Sequence, residues 1–370
     1  MIYHLVNDEK VVNRAIEIFE KTFPGQNFFI VFKKGKFNYV RTGYNITSYK
    51  DYEPFKMLFK PTSVVIHYLT ARKIKFVNKY IDSEIPVYWV MWGADLYDRM
   101  LMPKGYELFD TKSLFYKSIR IRRFFKSFLK IPNDKIRALR RSRFIKKRVK
   151  YLVTSTIEDD YQLFIKYYPQ MKEKIAKNIS YYPIDKVIGK ELSSLSVTGN
   201  DIQIGNSGTK SNNHEYALRI LSSFDIRGRK IIIPLSYSAK KVYKDALLKK
   251  GHELFGDCLE PITSFMPLAD YNHLMARSSV AIYGNWRQEA VGNVLVSLYL
   301  GAKVFLSKKN PMLAWALRHG FVVFELESMT QSDLDMPLEY SDKEHNRSIL
   351  LQQFDSKSLY TNLKSIFAEK

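Results

Sequence analysis

The chain has 370 residues, 46% hydrophobic and 14% aromatic, which exceeds the size at which one core keeps growing and supplies enough apolar surface for two domains. Its single cysteine, Cys258, excludes an intramolecular disulfide and a thiolate zinc cluster. A net charge of +22 points to a polyanionic partner, while no apolar run reaches the roughly 18 to 20 residues that a membrane-spanning helix needs.

The opening residues, Met1 to Asp8, reach acidic and polar positions too soon for a signal peptide and read as a strand, Ile2 to Val6, consistent with a cytoplasmic protein. A helix around Val11 to Thr22 and an apolar run, Phe28 to Phe32, follow. The alternation resumes with Ser63 to Tyr68, a helix near Ala71 to Tyr80, and Pro86 to Trp92. Runs that are apolar on both faces and separated by helices predict a parallel sheet covered on both sides.

Between Thr111 and Lys150, sixteen Lys and Arg stand against one acid, Asp134. Leu114, Ile121, Phe124, Phe125 and Phe128 share one face at helical spacing, ringed by Lys117, Arg120, Arg123, Lys126 and Lys130. A basic helix with bulky aromatics suits peripheral insertion into an anionic membrane interface, each cation contributing about 1 kcal/mol. The same pattern also fits a surface helix with its apolar face on the core. No RNP-like or zinc-finger motif accompanies the charge, so a specific nucleic-acid partner is not expected.

Tyr151 to Thr154 reads as a further buried strand and Ile179 to Tyr182 as another, before a polar stretch, Asp185 to Asn200, that suits a linker. We therefore expect a first domain over 1–185 and a second over 200–342. In the second, Asp201 to Ile204 leads into a Gly/Ser/Asn turn and a helix from about Asn213 to Phe224. Lys230 to Pro234, a short run at Leu254-Phe255, a helix from Ala269 to Arg277, Val280 to Tyr283, a helix from Gly292 to Leu300, Lys303 to Leu306 and Phe321 to Phe324 follow. The tail, 343–370, reads as a helix that returns to the first domain. Two α/β doubly wound domains leave the cleft faced by the carboxyl ends of both sheets as the expected ligand site.

Three segments carry candidate chemistry. In Gly205-Asn206-Ser207-Gly208-Thr209-Lys210-Ser211-Asn212-Asn213-His214, backbone amides, hydroxyls and the Lys210 charge can converge on a diphosphate at a helix N-terminus; Ser211 or Asn212 can equally be a plain helix cap. In Asn285 to Asn293, Arg287 can neutralise a phosphate, Glu289 can hold ribose hydroxyls, and the amides around Gly292 and Asn293 can bind an anion. Pro234 to Tyr237 and Phe265 to Pro267, including Met266, end at comparable places and can form a base pocket, though core packing or turn formation explains each equally. In the first domain, Trp89 to Tyr97 drives a strand into a narrow turn at Gly93-Ala94, which would expose Asp95. Asp95 is then placed to take a proton from an attacking hydroxyl, with a helix N-cap as its structural alternative. His67 is the competing base, or a satisfied core histidine.

Trp92-Gly-Ala-Asp-Leu-Tyr97, Gly205-Asn-Ser-Gly208 with Ser211, Asn212 and His214, and Arg287-Gln288 followed by Gly292 resemble, in order and spacing, the TDP-N-acetylfucosamine:lipid II N-acetylfucosaminyltransferases, a 4-alpha-L-fucosyltransferase-like family. Weaker similarity runs from about His67 to Phe324, and the first sixty residues and the tail match poorly. The resemblance implies an inverting, metal-independent GT-B glycosyltransferase at the cytoplasmic face of the bacterial inner membrane. It needs no cofactor beyond a dTDP-, UDP- or GDP-sugar donor, and its acceptor is a polyprenyl-diphosphate-linked glycan. Asp95 or His67 would be the base, Trp92, Gly93 and Tyr97 would line the acceptor side, and the two later loops would hold the donor, including Gln288. Thr209-Lys210 stands where the family has Asp-Arg. The rival expectations are transfer of another sugar in capsule or O-glycan assembly, and a non-catalytic RNA or polyanion binder on a Rossmann-like frame.

Overall fold

The computed structural model describes residues 1–43, 45–52, 60–113, 133–185, 187–188 and 194–368. They form two compact units, each built on one parallel sheet. Unit 1 comprises Met1–Tyr106, the described residues from 133 to Tyr181, and those from Lys357 on; unit 2 comprises residues 107–113 and Tyr182–Ser356.

Unit 1 contains β1 (Ile2–Val6), β2 (Asn27–Val31), β3 (Ile46–Ser48), β4 (Ser63–His67), β5 (Val87–Met91), β6 (Val149–Ser155) and β7 (Ile175–Ile179). They lie in the order β3-β2-β1-β4-β5-β6-β7. In β1, β2, β4 and β5 every residue is buried, so these runs carry no polar alternation; both faces must be covered by helices. Cover comes from α1 (Lys10–Thr22), α2 (Ala71–Tyr80), α3 (133–148) and α4 (Asp159–Tyr167). Thr70 starts α2 by accepting from Lys73 N, satisfying one of the orphan amides of the first turn. Tyr88 and Tyr151 face each other across β5 and β6 with rings stacked at 4.2 Å.

Unit 2 contains β8 (Asp201–Ile204), β9 (Ile231–Pro234), β10 (Leu259–Ile262), β11 (Ser278–Tyr283), β12 (Lys303–Leu306) and β13 (Phe324–Glu325), ordered β10-β9-β8-β11-β12-β13. Its helices are α5 (His214–Leu221), α6 (Lys241–Phe255), α7 (Leu268–Ala276), α8 (Val291–Leu300), α9 (Pro311–Arg318) and α10 (Tyr340–Gln353). Ile202, Ile204, Ile231, Ile233, Val280 and Ile282 form the sheet side of the core, with Leu218 and Leu221 of α5 packed on it. Asn310 caps α9 ahead of Pro311, and Gly301, in the left-handed region at φ 87°, ends α8.

Each sheet reverses its strand order once, between β1 and β4 in unit 1 and between β8 and β11 in unit 2. Loops on the two sides of such a switch diverge and leave a crevice at the carboxyl edge. The chain marks both places with strain: Tyr68, just after β4, has φ 67°, while Asn213 and Ala290, which enter α5 and α8, have φ 50° and 66°.

Several expectations need correction. Ile179 to Tyr182 is not a strand; the strand is Ile175–Ile179, an edge whose polar Lys177 and Asn178 hide its period. Leu254-Phe255 ends α6, and the edge strand Leu259–Ile262 follows it. The units divide between Tyr181 and Tyr182 rather than across 185–200. The tail is two helices: α10 stays with unit 2, and α11 (Ser356–Ala368) belongs to unit 1, where Phe367 packs on Phe19 and Tyr88 at 5.6 and 4.6 Å. Arg120, Arg123, Phe124, Phe125, Lys126 and Phe128 lie outside the described residues. Among the described residues no helix is long and apolar enough to cross a membrane.

Candidate functional site

β8 runs into Gly205, whose φ is 69°. A Cβ there would stand 2.7 Å from Asn212 Oδ1 and 2.8 Å from His214 Nε2, so both the backbone angle and the space require glycine. Asn212 closes the turn. Its Oδ1 accepts from Asn206 N at 3.0 Å, and its Nδ2 donates to Thr209 Oγ1 at 2.7 Å and Ser207 Oγ at 3.3 Å. Gly208 N donates to Tyr237 O at 2.8 Å, and a Cβ on Gly208 would collide with that of Ala239 at 2.2 Å. The turn is thereby locked to the loop after β9.

The loop after β11 meets the same turn. Thr209 Oγ1 donates to Glu289 Oε1 at 2.9 Å, Asn285 Nδ2 donates to Glu289 Oε2 at 3.0 Å, and Arg287 Nε donates to the same oxygen at 3.0 Å. Burial opposes ionisation of Glu289, but the Arg287 charge and hydrogen bonds from Arg287, Ser211 and Thr209 outweigh it and hold the carboxyl below its ordinary range. Residues 107–110 are pinned here too: Asn213 Nδ2 donates to Leu108 O at 3.3 Å and to Gly284 O at 3.1 Å, Arg219 pairs with Asp110 at 2.7 Å, and Lys210 Nζ lies 5.1 Å over the Phe109 ring.

Three of the amides expected in the cradle are engaged within the protein. Gly205 N is spent on Ile282 O, Asn206 N on Asn212 and Gly208 N on Tyr237. Side chains at the turn add further groups that a ligand could meet. Among the described residues, His214 Nε2, Asn206 Oδ1 and Asn285 Oδ1 are buried without a hydrogen-bond partner, a costly state unless a ligand or water completes them. His214 Nδ1 is 2.8 Å from Tyr243 Oη, and burial pushes the ring down to about 4 against the pull of Glu289, so it is neutral near pH 7. When the Tyr243 hydroxyl donates to Nδ1, the ring proton sits on Nε2.

Other predicted residues stand apart. Asn293 turns to α7, donating to Tyr271 Oη at 2.7 Å, and Gly292 faces the Tyr182 ring, 3.3 Å from where its Cβ would lie; neither side points at the turn. Gln288 is buried. Pro234 ends β9, while Tyr237 and Phe265 are 61% and 77% exposed, with Met266 half-buried beside Phe265. Asn285, Thr209 and Tyr243 belong to the cluster and were not singled out from the sequence; only their positions after a strand or on a following helix could have signalled them.

In unit 1, Asp95 is fully buried, contrary to the expected exposure. Its oxygens accept from Leu69 N at 2.7 Å, Trp89 Nε1 at 2.7 Å and Trp92 N at 2.9 Å, so it ties the end of β4 to the end of β5 across the left-handed Gly93 at φ 84°. Burial raises its pKa against those hydrogen bonds and the nearby Lys73. Tyr97 is also buried, donating to Asp160 Oδ1 at 2.5 Å, and Trp92 stands edge-on to Tyr181 with ring centroids 5.8 Å apart. His67 is a core histidine: Nδ1 lies 3.0 Å from Tyr181 Oη and Nε2 3.1 Å from His4 Nδ1, while His4 Nε2 lies 3.1 Å from Asn27 Oδ1. Asn27 Nδ2 is committed to Phe19 O and Phe23 O, so its oxygen accepts and each ring carries its proton on Nε2. Lys73, fully buried, donates to His67 O at 2.5 Å and Tyr68 O at 3.1 Å, and burial pulls its pKa down to about 7 against Asp95 and Glu9.

Comparison with known proteins follows the same lines. The family described as 4-alpha-L-fucosyltransferase, glycosyl transferase group 56, matches residues 137–335. The structure of HepE from Anabaena in complex with UDP-glucose is similar at TM-score 0.64 and 11% identity, covering 100% of both chains. Sucrose-phosphate synthase from Thermosynechococcus elongatus is similar at 0.66 and 6%, covering 100% of this chain and 98% of that one. The E. coli structure described as trehalose-6-phosphate bound with UDP-2-fluoro glucose gives 0.61 and 9%, covering 100% and 99%. At such identities the likeness establishes the fold, two Rossmann-like domains of the GT-B type.

Two outcomes follow. Asp95→Asn offers one acceptor oxygen where a carboxylate holds three N–H donors, and urea unfolding is expected to show a loss of about 1–3 kcal/mol; unchanged stability would mean that the carboxylate does not hold the turn. Burial lowers the pKa of His4 to about 3, and that of His67 falls well below its ordinary value through burial, His4 and Lys73. The unfolded rings bind protons first as pH falls below about 6.5. Unit 1 therefore loses stability as pH falls below about 6.5, with a slope that approaches about 1.4 kcal/mol per pH unit per histidine near pH 5, a slope that a His4→Gln/His67→Gln variant should flatten and that an unaltered slope would contradict.

Proposed function

The chain belongs to glycosyl transferase group 56, the 4-alpha-L-fucosyltransferase family, and on that premise we propose that it moves fucose or a deoxyamino sugar such as N-acetylfucosamine from a nucleoside-diphosphate donor to a lipid-linked glycan. The observation that carries the donor assignment is the switch-point turn of unit 2, where a glycine-only bend, a neutral buried His214 with a bare Nε2 and the Glu289–Arg287 pair converge. His214 and Lys210 would meet the diphosphate, and Glu289 would accept from sugar or ribose hydroxyls. Structures of similar fold bound to UDP or UDP-glucose support a nucleotide-sugar co-substrate. With Lys210, Arg287 and the amino end of α5 supplying positive field for the leaving diphosphate, the displacement would need no metal.

Unit 1 would take the acceptor, with Asp95 and His67 as positioning residues behind its switch point. Peripheral attachment to the cytoplasmic face of the bacterial inner membrane is supported by α3, whose exposed surface combines Lys135, Arg137, Arg140, Arg143, Lys146 and Lys147 with the 45% and 51% exposed Ile136 and Leu139. Another sugar destined for capsule or O-glycan assembly is the alternative within the same reaction class.

Thermal shifts against thymidine, uridine and guanosine diphosphates, followed by mass detection of transfer to a polyprenyl-diphosphate glycan with and without EDTA, test the reading. One nucleotide should stabilise the protein, EDTA should leave turnover unchanged, and Gly205→Ala should abolish the nucleotide shift. A Gly205→Ala protein that folds and binds nucleotide as before would remove the donor assignment.

A further inference from the structure

Residues 107–113 lie in unit 2, whereas the chain up to Tyr106 and the described residues from 133 to Tyr181 lie in unit 1. The polypeptide therefore enters the second unit ahead of that unit's own sheet, and it docks at the entry to α5. Asp110 N donates to Asn213 Oδ1 at 3.3 Å, Asn213 Nδ2 donates to Leu108 O at 3.3 Å, and Arg219 Nη2 of α5 donates to Asp110 Oδ2 at 2.7 Å. Leu108 and Asp110 are buried, while Glu107 accepts from Lys309 Nζ at 2.8 Å and the Phe109 ring lies beneath Lys210 Nζ. The Arg219 side chain is 40% exposed, so it can turn to water if Asp110 is removed, and the segment can undock without stranding a buried charge.

Asn213 is the residue on which this docking turns. It stands at the N-cap position of α5, where an asparagine ordinarily has an extended backbone and bends its side chain back to an amide of the first turn. Here φ is 50° and ψ 41°, in the left-handed region, and the side chain makes no cap hydrogen bond. Its carboxamide is committed instead to Leu108 and Asp110 on one side and to Gly284 O, at 3.1 Å, on the other. One strained residue thus joins segment 107–110 to the loops after β8 and β11, and α5 is left without its side-chain cap. The amino end of a helix in that state offers positive field to an anion. The next residue, His214, is fully buried and its Nε2 lacks a hydrogen-bond partner, a second sign that this end of α5 is built to be completed by a ligand.

We propose that Asp110 is a positioning residue for the donor: through Arg219 and Asn213 it keeps segment 107–110 docked, which holds the Asn213 carboxamide off the amino end of α5 and leaves that end open to a diphosphate. The placing of the diphosphate rests on the donor reading above, and the docking stands on the hydrogen bonds themselves. A site that is competent only while the segment is docked loses affinity in proportion to the fraction of molecules that undock, and by linkage a bound nucleotide strengthens the docking.

The test titrates thymidine diphosphate and uridine diphosphate into the full chain by calorimetry. Asp110→Ala should weaken the nucleotide that binds wild type at least tenfold. Asp110→Ala/Asn213→Gly should recover affinity to within about threefold of wild type, because glycine takes the left-handed backbone without help and has no side chain to cap α5. A folded Asp110→Ala with unchanged affinity would overturn the role, and so would a loss that the double variant fails to recover, since a merely structural carboxylate gives no such rescue. Arg219→Gln breaks the same ion pair and reads the same outcomes should Asp110→Ala not fold. Hydrogen exchange separates this proposal from the donor reading. The Asp110 amide should exchange more slowly on nucleotide saturation of wild type and faster in either single variant. Wild-type protein that binds neither nucleotide would remove the donor reading and this role with it, whereas nucleotide binding with Asp110 exchange unmoved in the variants would remove the docking alone.

Discussion

The amide of Asn212 decides the shape of the turn at which β8 ends. Its oxygen accepts from Asn206 N at the bend, and its nitrogen donates to the hydroxyls of Thr209 and Ser207. Because Gly205 has a left-handed backbone and no room for a Cβ, the strand delivers its last residue directly beneath His214. Thr209 then carries the network to Glu289 in the loop after β11. The two loops of a switch point are thus joined through side chains, and the amides of Gly205, Asn206 and Gly208 are engaged in holding shape.

Unit 1 solves the equivalent problem with charge. Its strand ends are tied by one buried carboxylate, Asp95, and one buried amine, Lys73, which fix the residues on either side of Tyr68. Behind them a chain of neutral groups, Tyr181, His67, His4 and Asn27, crosses the sheet at hydrogen-bond distance. Every member is satisfied, which makes such a core network an anchor rather than a reactive centre. This edge of unit 1 is consequently held in place where it is polar.

Much of the architecture was legible because strands buried on both faces write themselves as continuous runs: Ile2–Val6, Ser63–His67 and Val87–Met91 could be read directly. Edge strands could not. Ile46–Ser48 is too short, Ile175–Ile179 is interrupted by the adjacent polar pair Lys177 and Asn178, and Leu259–Ile262 carries Glu260 and Pro261. At the candidate site, glycine spacing and strand-to-helix context located the turn after β8, yet periodicity gives no hint of which amides are already bonded. Asp95 illustrates the limit. A carboxylate after a tight turn reads the same whether it faces solvent or collects three buried donors. Asp110 gave no signal because its partners, Asn213 and Arg219, lie more than a hundred residues further along the chain.

The central claim is that a nucleoside diphosphate meets the neutral imidazole of His214 above Gly205. Histidine-selective ¹⁵N NMR of the full chain at pH 7, assigned with His214→Gln, addresses it directly. The account predicts a neutral ring protonated on Nε2 whose Nε2 resonance moves on saturation with thymidine or uridine diphosphate. Nucleotide binding that leaves the His214 signals where they were would contradict it.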